Sequence, residues 1–202
     1  MDKWQLIIDP PEDPSANMAR DEKLAKRVRE GVQPPTLRVY EWSEPCISLG
    51  RRQNPEDLPA ELIARGLPIV RRPTGGGAVV HRLDELTYTL AMPPRLLPPG
   101  IRLHQLPGLL HEKLQSALLN SGLISSEALA LVHAECLTTT PSLCFASPVC
   151  GDLLYRGEKV AGLSLRAWRE CLLLQGSIQG LPVPYDELLD TLAFAVEESF
   201  QG

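Results

Sequence analysis

The residues of this chain that could do chemistry fall in three stretches, and the first is RRPTGGGAVV at 71–80. Three consecutive glycines weaken a strand or a helix, because glycine loses more conformational freedom on folding than any other residue. Positive φ angles, or close approach of the backbone to a bulky group, would require them. The adjacent Arg71 and Arg72 favour an anionic or strongly polar group. A glycine-rich hairpin turn with solvated arginines explains the pattern equally well.

The glycine loop does not match the known phosphate loops. A P-loop requires GxxxxGK[ST], and a dinucleotide fingerprint requires GxGxxG at the start of a helix. Here no GK follows, and the strand-like AVVH and LTYTL come next. If the loop binds a ligand, we therefore expect it to lie between two strands, with backbone N–H groups, Arg71 and Arg72 facing the ligand.

The other two stretches supply a thiol and an amine. Cys144 lies in LCFASPVCGD, and Lys159 lies in GEKVAG, where small residues including Gly162 would leave a cleft open. A thiolate nucleophile needs a nearby cation, and Lys159 supplies one if the two segments pair. The alternatives are a buried core cysteine and a solvated lysine at a strand edge. His81 is either a base or a hydrogen-bonded core histidine.

Composition argues against several classes of protein. The chain has 202 residues, 44% of them hydrophobic, and a net charge of -5. This length fits one domain over residues 1–202, with no C-terminal accessory domain. An acidic chain is not typical of a nucleic-acid binder, and no run approaches the roughly 20 apolar residues of a membrane span. The five cysteines lack CxxC spacing, so we expect neither a disulfide framework nor a metal site in a cytoplasmic protein.

Hydrophobic periodicity predicts the elements that position these stretches. A helix is expected from Ser15, as its cap, to Gly31, a short helix over 55–66, and two longer helices over 106–122 and 185–200. Strands are expected in TLRVYEW, EPCISLG, LPIVRR, LTYTLAMP and RECLLLQGSI, and a hairpin should turn at Arg156–Gly157. This order predicts an α+β fold, a mixed or antiparallel sheet with flanking helices.

Taken together, the motifs resemble those of the lipoate–protein ligase, octanoyltransferase and biotin ligase superfamily. RRPTGGGAVVHRLDELTYTL, CFASPV, GEKVAG and LLQGSI follow in the order and spacing of that superfamily, and the likeness runs from Trp4 to Ile178. The chain is most similar to the cysteine-dependent octanoyltransferases built on the ligase fold. The resemblance implies a biotin/lipoate ligase catalytic-domain-like fold.

The resemblance also implies roles for individual residues. Cys144 would be the acyl-accepting nucleophile and Lys159 its catalytic partner. Substrate-binding residues would be Arg71, Arg72, Thr74, Gly75, Gly76, Gly77, Ala78, His81, Asp152 and Gly162. The expected reaction moves octanoyl or lipoyl from an acyl carrier protein to a lysine of a lipoyl-domain protein, such as a glycine cleavage H-like protein. No cofactor would be required.

Two alternatives stay open because the chain departs from the family pattern. The first is an ATP-dependent lipoate ligase, with Lys159 on an acyl-adenylate, Asp152 near Mg²⁺, and a separate accessory chain. The second is a non-catalytic relative that binds lipoyl or acyl groups. GLSL at 162–165 replaces the usual GSAQ, Arg82 replaces an acidic residue, and Cys150–Gly151 replaces the Arg-Asn that precedes the aspartate in true ligases.

Overall fold

A computed structural model describes residues 3–133, 143–145 and 147–200 of the chain. The strands are β1 (Gln5–Ile8), β2 (Thr36–Tyr40), β3 (Cys46–Leu49), β4 (Ile69–Arg71), β5 (Val79–His81), β6 (Glu85–Met92), β7 (Leu129–Leu131), β8 (Leu153–Tyr155), β9 (Glu158–Ala167) and β10 (Leu172–Gln179). The α-helices are α1 (Pro14–Arg29), α2 (Ala60–Ile63), α3 (Leu106–Asn120) and α4 (Tyr185–Phe200).

Seven strands form the large sheet, in the order β1-β2-β6-β10-β9-β8-β7. β1 and β2 are parallel, and the remaining neighbours are antiparallel. The centre is β6 and β10, whose side chains are buried on both faces. The predicted α+β fold with a mixed sheet is therefore confirmed, although the short strand β1 was not predicted.

Helices cover both faces of this sheet, as alternation along the strands requires. On one face, α3 and α4 pack against Tyr88, Leu90 and Leu174 through Leu114 and Leu192. On the other face, α1 packs through apolar residues against side chains of the intervening strand positions, which are Ala91 and Leu173. The site residues of the large sheet are thus held by strands fixed from both sides.

Helix α1 begins one residue before the predicted position. The cap is Asp13, whose carboxylate accepts hydrogen bonds from the N–H groups of Ser15 at 2.8 Å and Ala16 at 3.2 Å. Pro14 occupies the first turn, where its missing N–H costs nothing. The prediction of Ser15 as the cap was wrong, whereas Gly31, at φ +70°, follows the helix end as predicted.

A second sheet has three strands in the order β4-β3-β5. β3 is parallel to β4 and antiparallel to β5, so the glycine loop connects its two outer strands, as predicted. The predicted hairpin is also confirmed, since Arg156 and Gly157 both have positive φ between β8 and β9. Within the described ranges, no helix has the length and apolar character needed to cross a bilayer.

Candidate active site

A partly open cavity lies where the two sheets meet. Its walls are largely apolar and come from Met18, Tyr40, Trp42, Val79, Phe145 and Leu163. Polar groups line the remainder, namely Ser48, Arg72, His81, Cys144, Ser164, Gln175 and Ser177. An apolar pocket with a few polar groups suits a ligand that has an aliphatic part and a reactive end.

The thiol and the amine predicted from the sequence meet at this cavity. The Nζ atom of Lys159 lies 3.3 Å from Sγ of Cys144 and 2.8 Å from the carbonyl oxygen of the same residue. It also donates to Oδ2 of Asp152 at 2.6 Å. Because the ammonium has three donors, these three contacts use all of them. Both side chains of the ion pair are almost wholly buried, at 1% and 3% exposure.

Asp152 immediately precedes β8 and pairs with the ammonium of Lys159. Its carboxylate also accepts a hydrogen bond from the N–H of Val149 at 2.7 Å. Burial raises the pKa of Asp152, and the ammonium of Lys159 opposes that rise. The carboxylate therefore acts as a fixed acceptor that orients Nζ towards Cys144.

Gly162 explains how a lysine on β9 can fold back along its own strand. A Cβ atom at this position would lie 2.8 Å from Cε and 3.0 Å from Nζ of Lys159. A larger residue would therefore shift the end of the lysine side chain. The second glycine of GEKVAG leaves room for the amine in its present position.

The glycine loop anchors the cysteine segment. The N–H of Cys144 donates to the carbonyl of Ala78 at 2.8 Å, and Leu143 forms a parallel bridge with Ala78. Gly76 has φ +84°, a conformation that glycine adopts without strain. Its carbonyl oxygen would lie 2.1 Å from a Cβ atom at Gly50, so the two loops touch through backbone alone.

The two arginines before the loop point in different directions. Arg72 is buried, and its guanidinium donates to the carbonyls of Gly75 and Gly77 at 2.6 Å each and of Ser48 at 2.9 Å. Burial lowers the pKa of Arg72 to about 10, partly offset by the nearby Cys144, so it stays cationic at neutral pH. Arg71 is exposed and binds backbone carbonyls at 50, 51 and 53. Arg72 lines the cavity, and its neighbour does not.

Thr74 and His81 also lie at or beside the cavity. The hydroxyl of Thr74 bonds to Oε1 of Gln175 at 2.7 Å and to Oγ of Ser164 at 2.8 Å. His81 shares a 2.8 Å hydrogen bond with Ser48 through Nε2 and a 2.6 Å bond with Glu85 through Nδ1.

Glu85 fixes the orientation of the His81 ring. Burial acts to raise its pKa, but His81, Thr87 and the N–H of Arg82 together hold the pKa below the usual value. An ionised Glu85 accepts from Nδ1–H, and Nε2 shares the other hydrogen bond with the hydroxyl of Ser48. Sequence reasoning did not single out Ser48 or Glu85, although both lie in quoted segments, EPCISLG and RRPTGGGAVVHRLDELTYTL.

A buried ion pair beneath the cavity was also missed. Asp21 of α1 accepts from Nη1 of Arg38 at 2.7 Å and from the amide of Gln175 at 2.7 Å. Burial raises the pKa of Asp21, and Arg38 opposes the rise. The sequence did contain a signal for a buried charge. Asp21 lies three residues from both Met18 and Leu24, on the apolar face of the predicted helix.

Solved structures share this fold at low sequence identity. A lipoate-protein ligase A bound with ATP superposes with a TM-score of 0.72 at 17% identity, over 98% of this chain and 85% of that chain. A biotin protein ligase from Leishmania major in complex with biotin superposes with a TM-score of 0.57 at 13% identity, over 98% of this chain and 75% of that chain. The molecule therefore has the catalytic-domain fold of lipoate and biotin ligases.

Sequence comparisons define the family more closely. The lipoyl protein ligase A/B catalytic domain family matches residues 13–179. Octanoyltransferase LipM of Brevibacillus brevis is 34% identical over 98% of this chain and 72% of its own length. The LipM of Oceanobacillus iheyensis is 29% identical over 98% of this chain and 71% of its own. The chain belongs to the lipoyl protein ligase A/B catalytic domain family and is an acyltransferase enzyme.

Proposed function

We propose that this enzyme moves an octanoyl group from a carrier-protein thioester to a lysine of a lipoyl-domain protein, through an acyl-Cys144 intermediate. One observation carries the proposal: Sγ of Cys144 lies 3.3 Å from the ammonium of Lys159 beside a cavity with apolar walls. The similarity to octanoyltransferases LipM supports the choice of acyl group.

In the first half-reaction the Cys144 thiolate attacks the carbonyl carbon of the donor thioester. A new C–S bond forms, the donor C–S bond breaks, and the donor leaves as a thiolate that takes up a proton. The ammonium of Lys159 stabilises the attacking thiolate and the negative charge that develops on the carbonyl oxygen. Met18, Tyr40, Trp42 and Leu163 hold the aliphatic chain.

In the second half-reaction the neutral amine of the acceptor lysine attacks the acyl-cysteine. A C–N bond forms, the C–S bond to Cys144 breaks, and the amine releases one proton to solvent. The Cys144 thiolate then re-forms beside the Lys159 ammonium. Thioester-to-amide transfer runs downhill, so the proposed reaction needs no nucleotide and no metal. Within the described part of the chain, no group of His, Cys, Asp and Glu side chains has a metal-binding arrangement.

The remaining roles follow the same geometry. Arg72 holds the carbonyls of the glycine loop inward, and we assign Gly75, Gly76 and Gly77 to the walls around the thioester. Gly162 keeps room for Lys159, and Asp152 orients its ammonium. The donor is an acyl carrier protein and the acceptor resembles a glycine cleavage H protein, both of which would meet the enzyme in the cytoplasm.

Intact mass spectrometry tests the proposal in one experiment. The enzyme is mixed with octanoyl-carrier protein without ATP, and we expect one octanoyl adduct that peptide mapping places on Cys144. Adding a lipoyl domain should discharge the adduct and label the domain. Cys150→Ala is the matched control, since Cys150 is exposed six residues on and should not be needed. Labelling of the domain only from free acid with ATP and Mg²⁺ would instead identify a ligase.

A further inference from the structure

A cluster of arginines lies beside the glycine loop. Side chains alternate along β9, so Gly162, Ser164 and Arg166 share one face of the strand. The first two line the cavity, and Arg166 continues the line beyond it. Its guanidinium reaches the carbonyl of Pro73, which immediately precedes the loop residue Thr74, at 3.5 Å.

Trp168 holds two of these arginines together. The guanidinium of Arg166 lies 4.3 Å from the centre of the Trp168 ring, and that of Arg29 lies 5.2 Å from it. Arg51 is tied to the same loop by a 2.8 Å hydrogen bond from its N–H to the carbonyl of Thr74. Burial first, and then the charges of Arg51 and Arg29, lower the pKa of Arg166, while Glu22 opposes them. These arginines repel one another, and a bound anion would reduce that repulsion.

The positive surface extends away from the cavity. Arg29 also lines a groove at the end of α1, together with Lys3, Arg95 and Arg169, and Glu170 is the acidic residue there. Along the described residues, one basic track therefore runs from the glycine loop through Arg51, Arg166 and Arg29 into this groove. The track contrasts with a chain whose net charge is -5.

We propose that the basic track binds the donor, an acidic acyl carrier protein whose thioester arm carries a phosphodiester. The inference rests on the proposed function. Arg166 stands four residues from Gly162 on β9, which places the two backbones roughly 13 Å apart. A phosphodiester at the base of a pantetheine arm lies far from its thioester and can reach such a cation. An acceptor lysine carries no anion along its side chain, so this spacing favours the donor.

The test compares a charged with an uncharged donor. Arg29→Gln/Arg169→Gln removes two exposed charges of the groove, and Arg65→Gln removes an exposed arginine outside the track. Acylation of Cys144 is followed by intact mass with octanoyl-carrier protein and with octanoyl-N-acetylcysteamine. We expect the double variant to lose about tenfold or more in kcat/KM with the carrier protein only. The wild-type rate with the carrier protein should also fall steeply with added salt.

Each other outcome overturns the inference. Equal loss with both donors would mean that the arginines support the fold or the cavity, and unchanged rates with both would mean that the track binds nothing on this path. A loss confined to discharge of the acyl-enzyme by the lipoyl domain would assign the track to the acceptor. An enzyme that takes octanoyl from neither thioester fails the proposed function itself, which is a separate result.

Discussion

Two buried ion pairs of this enzyme have nearly the same geometry but different surroundings. Arg38 and Asp21 lie 2.7 Å apart beneath the cavity, and Lys159 and Asp152 lie 2.6 Å apart at its reactive end. In each pair both side chains are almost fully buried. Burial acts against the charged form of both carboxylates, and the neighbouring cation opposes it.

The difference lies in the third partner of each cation. Arg38 also donates to Asp9 and Asn17, and Asp21 also accepts from Tyr40, Thr89 and Gln175, so the partners in this closed network are fixed polar groups. The third N–H donor of Lys159 contacts the sulfur atom of Cys144. In the proposed reaction this donor can turn from the sulfur to the carbonyl oxygen of the substrate. A buried ion pair whose partners are all fixed polar groups thus stabilises the fold. A buried ion pair that also contacts a thiol can take part in the proposed reaction.

The largest expected effect tests the sulfur atom. Cys144→Ala should abolish octanoyl transfer, because no nucleophile then remains beside Lys159. Cys171→Ala is the control, since burial raises the pKa of that thiol to about 11 and keeps it inert. Cys46→Ala and Cys136→Ala should likewise keep most activity, although position 136 lies outside the described residues. Transfer by Cys144→Ala at a near wild-type rate would rule out the acyl-cysteine route.

The next effect falls on stability and concerns the closed network. Asp21→Ala leaves Arg38 buried without its main counter-charge, so the free energy of unfolding should fall by about 3–5 kcal/mol. Urea unfolding measures the change. Asp84→Ala removes an exposed carboxylate paired with Arg82 and should alter stability little. Similar losses of unfolding free energy in both variants would mean that a buried ion pair contributes no more to stability than an exposed one.

A smaller effect is expected at the reactive pair. Lys159→Ala removes the cation that stabilises the thiolate, so iodoacetamide should label Cys144 about tenfold more slowly at neutral pH. Lys159→Arg keeps the charge on a wide planar group and should restore the rate poorly. Peptide mapping assigns the labelled thiol, and Cys150 in the same protein reports on general access. Unchanged labelling would show that this lysine does not activate the cysteine.

The smallest expected effect is on the pH dependence of stability. It concerns a buried histidine that is hydrogen-bonded to the residue before Asp152. His111 of α3 bonds to the carbonyl of Gly151, and burial lowers its pKa to about 4. The unfolded chain therefore binds more protons between pH 6.5 and 4, and stability should fall as the pH falls through that window. Unfolding from pH 7 to 5.5 should show a loss of about 1 kcal/mol from this residue.

His111→Asn supplies the control for that measurement. Asparagine keeps a side-chain donor for the Gly151 carbonyl but cannot take up a proton in this range. The variant should be less stable at every pH, because the smaller side chain leaves a cavity. Its stability should nevertheless change about 1 kcal/mol less than that of wild type over the same interval. Identical pH profiles would show that His111 is not held neutral by burial.

Local residue patterns were enough to predict most of the helices and strands. Alternation predicted the strands, glycine and apolar spacing predicted the helices, and the Arg156–Gly157 hairpin followed from two residues that tolerate positive φ. Motif order alone pointed to the family, to Cys144 and to Lys159. The residue pattern did not show which of Arg71 and Arg72 reaches the cavity, because Arg72 already lies beyond the end of β4.

Tertiary structure decided what lies next to what. Cys144 and Lys159 come together because the glycine loop holds one through Ala78 and Gly162 makes room for the other. The pairing of Asp21 with Arg38 joins a helix to a strand 17 residues away. Such contacts depend on how separate elements pack, and the energy of a buried charge depends on every group around it. Local residue patterns therefore predicted the elements and proposed Cys144 and Lys159 as site residues. Packing alone determined which buried charge has only fixed polar partners and which one contacts the thiol.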